Sequence, residues 1–144
     1  MKMLITGNRF NTDRMNWFTS DKKLRTIIGE YPEIKANERS KKIEISGFSR
    51  MSDPEHYYAA LTGKLKGYFF SFNKTLLLDF HLEFISSSSI KLILTMITEL
   101  QNTAKNIGVI EANWYYEEDD EIIRDTGEIF STLLKIPFHL VIIA

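Results

Sequence analysis

The stretch that decides the fold runs from Thr75 to Leu100 and reads TLLLDFHLEFI, SSSS, IKLILTMITEL. In its first part, apolar residues alternate with more polar ones, and this period of two predicts a strand over Thr75–Ile85. One set points to one face: Leu76, Leu78, Phe80, Leu82 and Phe84. After the serines, apolar residues recur at helical spacing, at Ile90, Ile93, Leu94, Ile97 and Leu100. The stretch therefore predicts a strand, a serine turn and a helix.

The same alternation of strand and helix continues downstream. Val109 to Tyr116 reads as a strand, and Phe138 to Ile143 reads as the closing strand. Between them, Asp119-Asp120-Glu121 opens a third helix that runs through Leu134. Its expected inward residues are Ile122, Phe130 and Leu133.

Upstream of Thr75, two strands and one helix are expected. The strands are Leu24–Gly29 and Lys42–Gly47, with a turn-rich connection between them. The pair Asp53-Pro54 marks a helix start, because a capping residue precedes proline at the first helical position. The apolar face of this helix would carry Tyr57, Leu61, Leu65 and Tyr68.

The resulting element order is β-β-α-β-α-β-α-β, with strands that alternate in polarity. A parallel sheet covered on both faces would have strands that are apolar throughout. Here one strand face is polar, since it carries Glu44, Asp79, His81, Glu83, Glu111 and Asn113. The pattern predicts an α/β fold, a two-layer sandwich in which a mixed sheet packs about three helices on one face.

The chain divides into an N-terminal extension, residues 1–22, and one domain, residues 23–144. The extension lacks a clean period, and its larger residues include Trp17 and Phe18. Two interpretations stay open: a mobile extension, as termini often are, or a docking arm that uses these two aromatic residues.

Bulk composition excludes several classes of function. A net charge of −1 gives no basic face for nucleic acid. The chain has no cysteine, which rules out disulfides and thiolate metal sites. It also has no long apolar run, so neither a secretory signal nor membrane insertion is expected, and we predict a cytoplasmic protein.

Motifs for catalysis or cofactors are weak. The glycines form no phosphate-binding loop, and the acidic run Glu117–Glu121 lacks the spacing of a calcium loop, so no cofactor or metal is expected. One alternative remains, a small enzyme that uses the strand face of Asp79, His81 and Glu83. The other histidines, His56 and His139, show no triad spacing.

The four serines, Ser86 to Ser89, lie where a strand meets a helix. One interpretation is helix capping alone, in which a hydroxyl accepts a hydrogen bond from a free backbone N–H. The other is phosphorylation, because a phosphate there would face the positive end of the helix dipole. Tyr115, in the triplet Trp114-Tyr115-Tyr116, points away from the core and is a candidate partner contact.

An ordered set of segments resembles the SiaC family of bacterial regulatory phosphoproteins. The segments are YPEI from Tyr31, IEISG from Ile43, DPEHYY from Asp53, LEFISSSSIK from Leu82, NWYYEEDD from Asn113, TGE from Thr126 and IPF from Ile136. They cover about Lys23 to Ile143. The family's turn commonly reads Asn-Thr-Ser-Ser before Ile-Lys, so this chain departs from it with serine at both Ser86 and Ser87.

The resemblance implies a STAS-like fold and a partner-switching function without enzymatic activity. Matching the turn residue by residue makes Ser87 the phosphate acceptor, with Ser86 and Ser88 as alternatives, while Ser88 and Ser89 cap the helix. The partner surface would include Ser88, Ser89, Lys91 and Tyr115.

The implied partners are a Ser/Thr protein kinase, a PP2C-type phosphatase and a signalling effector such as a diguanylate cyclase, in control of biofilm through cyclic di-GMP. A second output stays open, that of a STAS-like anti-sigma-factor antagonist.

Overall fold

The structure, a computed structural model, describes residues 28–143. The expected extension, with Trp17 and Phe18, lies outside the described residues. After a 3-10 turn at Ile28–Glu30, the chain forms these elements: β1 (Pro32–Asn37), β2 (Lys42–Ser49), α1 (Pro54–Ser71), β3 (Thr75–Ile85), α2 (Ser87–Ala104), β4 (Val109–Glu117), α3 (Glu121–Leu133) and β5 (Phe138–Ile143). The predicted order is confirmed.

The five strands form one mixed sheet in the order β1-β2-β3-β4-β5. β1 runs antiparallel to β2, and every other neighbouring pair is parallel. The three crossovers step in the same direction along the sheet, and crossovers are nearly always right-handed, so all three helices lie on one face. The predicted two-layer α/β arrangement is confirmed.

The core lies between this face and the helices. Its largest buried side chains include Trp114, Tyr57, Tyr58, Phe69, Phe80 and Phe130. Trp114 is fully buried against the rings of Phe80, Phe130 and Phe138, and its indole N–H donates to the carbonyl of Ile123 at 2.8 Å. Among residues 28–143, none of the helices combines the length and apolarity that crossing a bilayer requires.

The first strand was predicted in the wrong place. Of the expected strand Leu24–Gly29, the described part belongs to the 3-10 turn, and the first described strand is β1. Residues 30–41 were expected to form a turn-rich connection, but Pro32 fits the first residue of an edge strand, where its missing N–H costs no ladder bond.

The inward face of α3 also differs from the prediction. Ile122 and Leu133 are 66 % and 57 % exposed, while the buried residues of this helix are Ile123, Thr126, Gly127 and Phe130. Phe130 was predicted correctly. The true stripe was hidden because a threonine and a glycine occupy two of its four positions.

A bulge changes which residues point inward at the end of β3. Gly47 pairs with Leu82, but Phe48 pairs with Phe84, so Glu83 is an extra residue on β3. Gly47 has a φ of +96°, a backbone conformation that residues other than glycine rarely adopt. Phe84, which was predicted to point inward, is 43 % exposed, and Ile85 is buried in its place.

Two glycine substitutions should have opposite effects on stability. In Gly127→Ala, the new methyl would lie 2.7 Å from Leu140 Cδ2 and would also clash with the Trp114 ring. We expect a loss of about 1–3 kcal/mol in the free energy of unfolding. Gly63→Ala, within α1, meets no atom within 4 Å and should gain about 0.5–1 kcal/mol. Urea unfolding measures both, and a shift of the two midpoints in the same direction would contradict this packing.

Candidate functional site

The serine turn lies at the edge of the sheet where the parallel strands end. Ser49, the last residue of β2, pairs with Ile85, the last residue of β3. Ser86 follows directly, and its N–H donates to the carbonyl of Ser49 at 2.9 Å. The turn is therefore fixed to the neighbouring strand before α2 begins.

Ser86 is the residue that caps α2. Its backbone is extended, with φ −75° and ψ 159°, and its hydroxyl accepts from the N–H of Ser89 at 3.3 Å. The prediction that Ser88 and Ser89 cap the helix is wrong, because both already lie in its first turn. Asparagine and serine are both good capping residues, so serine at position 86 can cap the helix as well as asparagine would.

The four serines differ sharply in accessibility. Ser87 and Ser88 are exposed, Ser86 is half-buried and Ser89 is fully buried. Ser88 Oγ lies 3.3 Å from Ser86 Oγ, whereas the Ser87 hydroxyl makes no hydrogen bond to any residue in the range 28–143. Ser89 was predicted to be on the partner surface, but its burial places it beneath that surface.

Ser87 begins a polar stripe along α2. It is the first residue of the helix, and steps of four residues lead from it to Lys91, Thr95 and Glu99, all of which are exposed. Glu99 forms an ion pair with Lys66 of α1. Lys91, predicted as a partner contact, thus lies one helical turn from Ser87 on the same side.

The sheet face opposite α1, α2 and α3 holds the residues of the enzyme alternative. The Asp79 carboxylate is only 4 % exposed, lies 3.3 Å from Lys42 Nζ and accepts from Asn113 Nδ2 at 2.9 Å. The His81 ring stacks on Tyr115 with centroids 4.0 Å apart. Glu83 is exposed at the bulge. These groups interact with structural neighbours and do not converge on a shared reaction centre.

Tyr115, the remaining predicted partner contact, is half-buried in this stack on the face opposite the three described helices. Alternation along β4 is confirmed at this point, because Trp114 is buried under the helices while Tyr115 points the other way. Among residues 28–143, no group of three or more His, Asp or Glu side chains could hold a metal ion.

A model described as "SiaC family regulatory phosphoprotein" matches residues 26–143. The chain belongs to the SiaC family. A comparison with curated protein sequences found no match.

Solved SiaC structures from Pseudomonas aeruginosa have the same fold. A chain in the crystal structure of the diguanylate cyclase SiaD in complex with its activator SiaC aligns with a TM-score of 0.70 at 17 % identity, covering 80 % of this chain and 94 % of that one. Apo-SiaC aligns with a TM-score of 0.66 at 19 % identity, covering 78 % and 92 %. At these identities, the alignments establish a shared SiaC fold over nearly the whole length of the solved chains.

Asp79 should matter for stability in this SiaC domain, while its neighbour on the same face should not. Asp79→Ala leaves the Asn113 amide and the half-exposed Lys42 without their acceptor, so we expect a loss of about 1–3 kcal/mol in the free energy of unfolding. Glu83→Ala is the matched control, and its effect should stay within about 0.5 kcal/mol. Equal losses in the free energy of unfolding, measured with urea, would contradict this prediction, because the two carboxylates would then contribute equally to stability.

Proposed function

We propose that this chain is a non-enzymatic, cytoplasmic switch protein in which reversible phosphorylation of Ser87 controls the binding of a signalling partner. One observation carries the choice of Ser87. It is exposed at the first position of α2, and within residues 28–143 its hydroxyl has no hydrogen-bond partner, whereas the hydroxyls of the other three serines are each engaged. A kinase could therefore use this hydroxyl without breaking a native contact.

A phosphate on Ser87 would be compatible with the fold. The first N–H groups of an α-helix have no acceptor within the helix, and the dipole favours negative charge there. Lys91 lies one turn further on and can approach the phosphate. The modification adds about −1.5 to −2 charges at pH 7, so the surface changes while the fold stays intact.

The family and the fold support the choice of partner. The solved SiaC is described as the activator of a diguanylate cyclase and was crystallised with it. We infer that the unmodified form of this chain binds and activates a diguanylate cyclase, and that a Ser/Thr kinase and a PP2C-type phosphatase set the level of phosphate. The surface on this chain would include Ser88, Lys91 and the exposed side of α2. Tyr115 as a further contact stays a prediction.

Site-resolved phosphopeptide mass spectrometry tests the assignment. The chain would be co-expressed with its kinase, digested and mapped across Ser86 to Ser89, with a phosphatase-treated sample as the control. We expect phosphate on Ser87 that the phosphatase removes. A Ser87 that stays unmodified, whether the turn is unmodified as a whole or carries its phosphate on another serine, would refute the assignment.

A further inference from the structure

A network of buried hydroxyl groups lies beneath the serine turn and connects three elements. The Tyr58 hydroxyl of α1 lies 2.6 Å from Ser49 Oγ at the end of β2. Ser49 Oγ donates to Ser89 Oγ at 2.8 Å, and Ser86 Oγ donates to the same oxygen at 2.9 Å. Ser49 and Ser89 are fully buried, and Tyr58 is 2 % exposed.

One arrangement of the protons satisfies every hydroxyl in this network. A hydroxyl has one donor and two acceptor sites. With Tyr58 donating to Ser49 and Ser49 donating to Ser89, the second acceptor site of Ser89 is taken by Ser86. The remaining proton of Ser89 points to the sulfur of Met51, at 3.9 Å. Because Ser49, Tyr58 and Ser89 are buried, removing one hydroxyl leaves another buried polar group without its partner.

The phenol of Tyr58 stays protonated under physiological conditions. Burial raises the pKa of Tyr58, and the hydrogen bond with Ser49 offsets this only in part. The neutral phenol can therefore donate the first hydrogen bond of the network, to Ser49.

The network of buried hydroxyl groups fixes the residues on both sides of Ser87. Ser86 is held by its N–H on the Ser49 carbonyl and by its hydroxyl on Ser89, and Ser89 is held by Ser49. Ser87 and Ser88 lie between these two fixed points and face outward. Four serines that are chemically alike are thus made unequal by a network that contacts the turn from below.

We infer that Ser49, Tyr58 and Ser89 are positioning residues for phosphorylation: their buried hydroxyls lock the first turn of α2 against β2 and α1 and so present Ser87 as the acceptor. This inference rests on the proposed modification of Ser87. It adds that the choice of serine depends on Ser49 and Tyr58, which are buried and lie far from the turn in sequence.

The test is phosphorylation of Ser49→Ala and Tyr58→Phe in vitro, with a kinase that modifies the wild-type chain. Mass spectrometry would resolve the rate for each serine. We expect the rate at Ser87 to fall roughly tenfold, because small misplacements of a reacting group have effects of this size or larger. The share of phosphate on Ser86 and Ser88 should rise at the same time.

Tyr57→Phe is the matched control. Tyr57 is an equally buried tyrosine next to Tyr58, but its hydroxyl donates to the Pro32 carbonyl, which is not part of the network of buried hydroxyl groups. It should keep the wild-type rate and site distribution. Ser49→Thr, which retains the hydroxyl, should restore most of the rate that Ser49→Ala loses. Circular dichroism and hydrogen exchange of the Ser86–Ile90 amides separate local loosening of the turn from unfolding.

The two proposals can fail separately. If wild type is modified on Ser87, and Tyr58→Phe and Ser49→Ala match Tyr57→Phe in rate and site, the positioning inference is overturned and the proposed function stands. If wild type takes no phosphate on Ser87, both are overturned. A tenfold loss in the rate of phosphorylation at Ser87 that is confined to variants of the hydroxyl network supports both proposals.

Discussion

Replacing Ser87 with glutamate should abolish partner binding without destabilising the domain. The side chain places a negative charge on the surface that the unmodified form presents to its partner, and burying an unpaired charge at an interface costs about 2–5 kcal/mol. We expect a loss of affinity of at least roughly thirtyfold, since about 1.4 kcal/mol corresponds to a factor of ten. At the same time, a carboxylate in the first turn of α2 should stabilise the helix by about 0.3–1 kcal/mol.

The opposite signs of these two effects make the prediction specific. Ser87→Ala should bind as wild type does and should keep its stability within about 0.5 kcal/mol, because within residues 28–143 this hydroxyl makes no hydrogen bond that could be lost. Ser40→Glu is the charge control, since Ser40 is an exposed serine in the turn before β2, at the opposite edge of the sheet. Titration of the partner into each variant measures affinity. If Ser40→Glu weakened partner binding as severely as Ser87→Glu does, the effect would come from the net charge of the protein and not from the position of the charge.

Replacing Trp114 with alanine should cause the largest loss of stability. The side chain is fully buried among three aromatic rings, and its N–H satisfies the Ile123 carbonyl. Truncation removes these contacts and leaves a cavity between the sheet and α3, at a cost of about 3–5 kcal/mol. Because small domains are stable by only about 5–15 kcal/mol, the variant should unfold at much lower urea concentrations.

Tyr115→Ala is the control for this truncation. The two residues are adjacent on β4, but Tyr115 lies half-buried on the face opposite α1, α2 and α3 and loses mainly its stack on His81. We expect about 0.5–1.5 kcal/mol there. Urea unfolding followed by circular dichroism compares the two without relying on tryptophan fluorescence. Equal losses would mean that the core does not lie where the structure has it.

Periodicity predicted the elements whose pattern is set locally. β3 and β5 have the predicted bounds, and α2 begins within the serine run. β3 alternates in polarity and β5 is a short, mostly apolar run, and neither contains proline or glycine, so the local pattern was sufficient. Two of the errors arose where a neighbouring strand decides the outcome. Pro32 is tolerated because β1 is an edge strand, and Phe84 turns outward because a bulge opposite Gly47 shifts the register.

The candidate site was predictable in position but not in its internal order. The strand-to-helix turn and the resemblance to SiaC proteins together indicated Ser87. The capping function of Ser86 and the burial of Ser89 depend on Ser49 and Tyr58, which precede the turn by about thirty to forty residues. Contacts over this distance follow from the pairing of β2 with β3, which no local pattern of serines reveals.

The most direct test of the switch uses one preparation in two states. The chain would be phosphorylated on Ser87, and its binding to a diguanylate cyclase and the rate of cyclic di-GMP synthesis would be measured before and after phosphatase treatment. We predict no binding and basal synthesis in the phosphorylated state, with full binding and stimulated synthesis once the phosphate is removed. Equal binding and equal synthesis in both states would contradict the proposal that phosphate on Ser87 controls this protein.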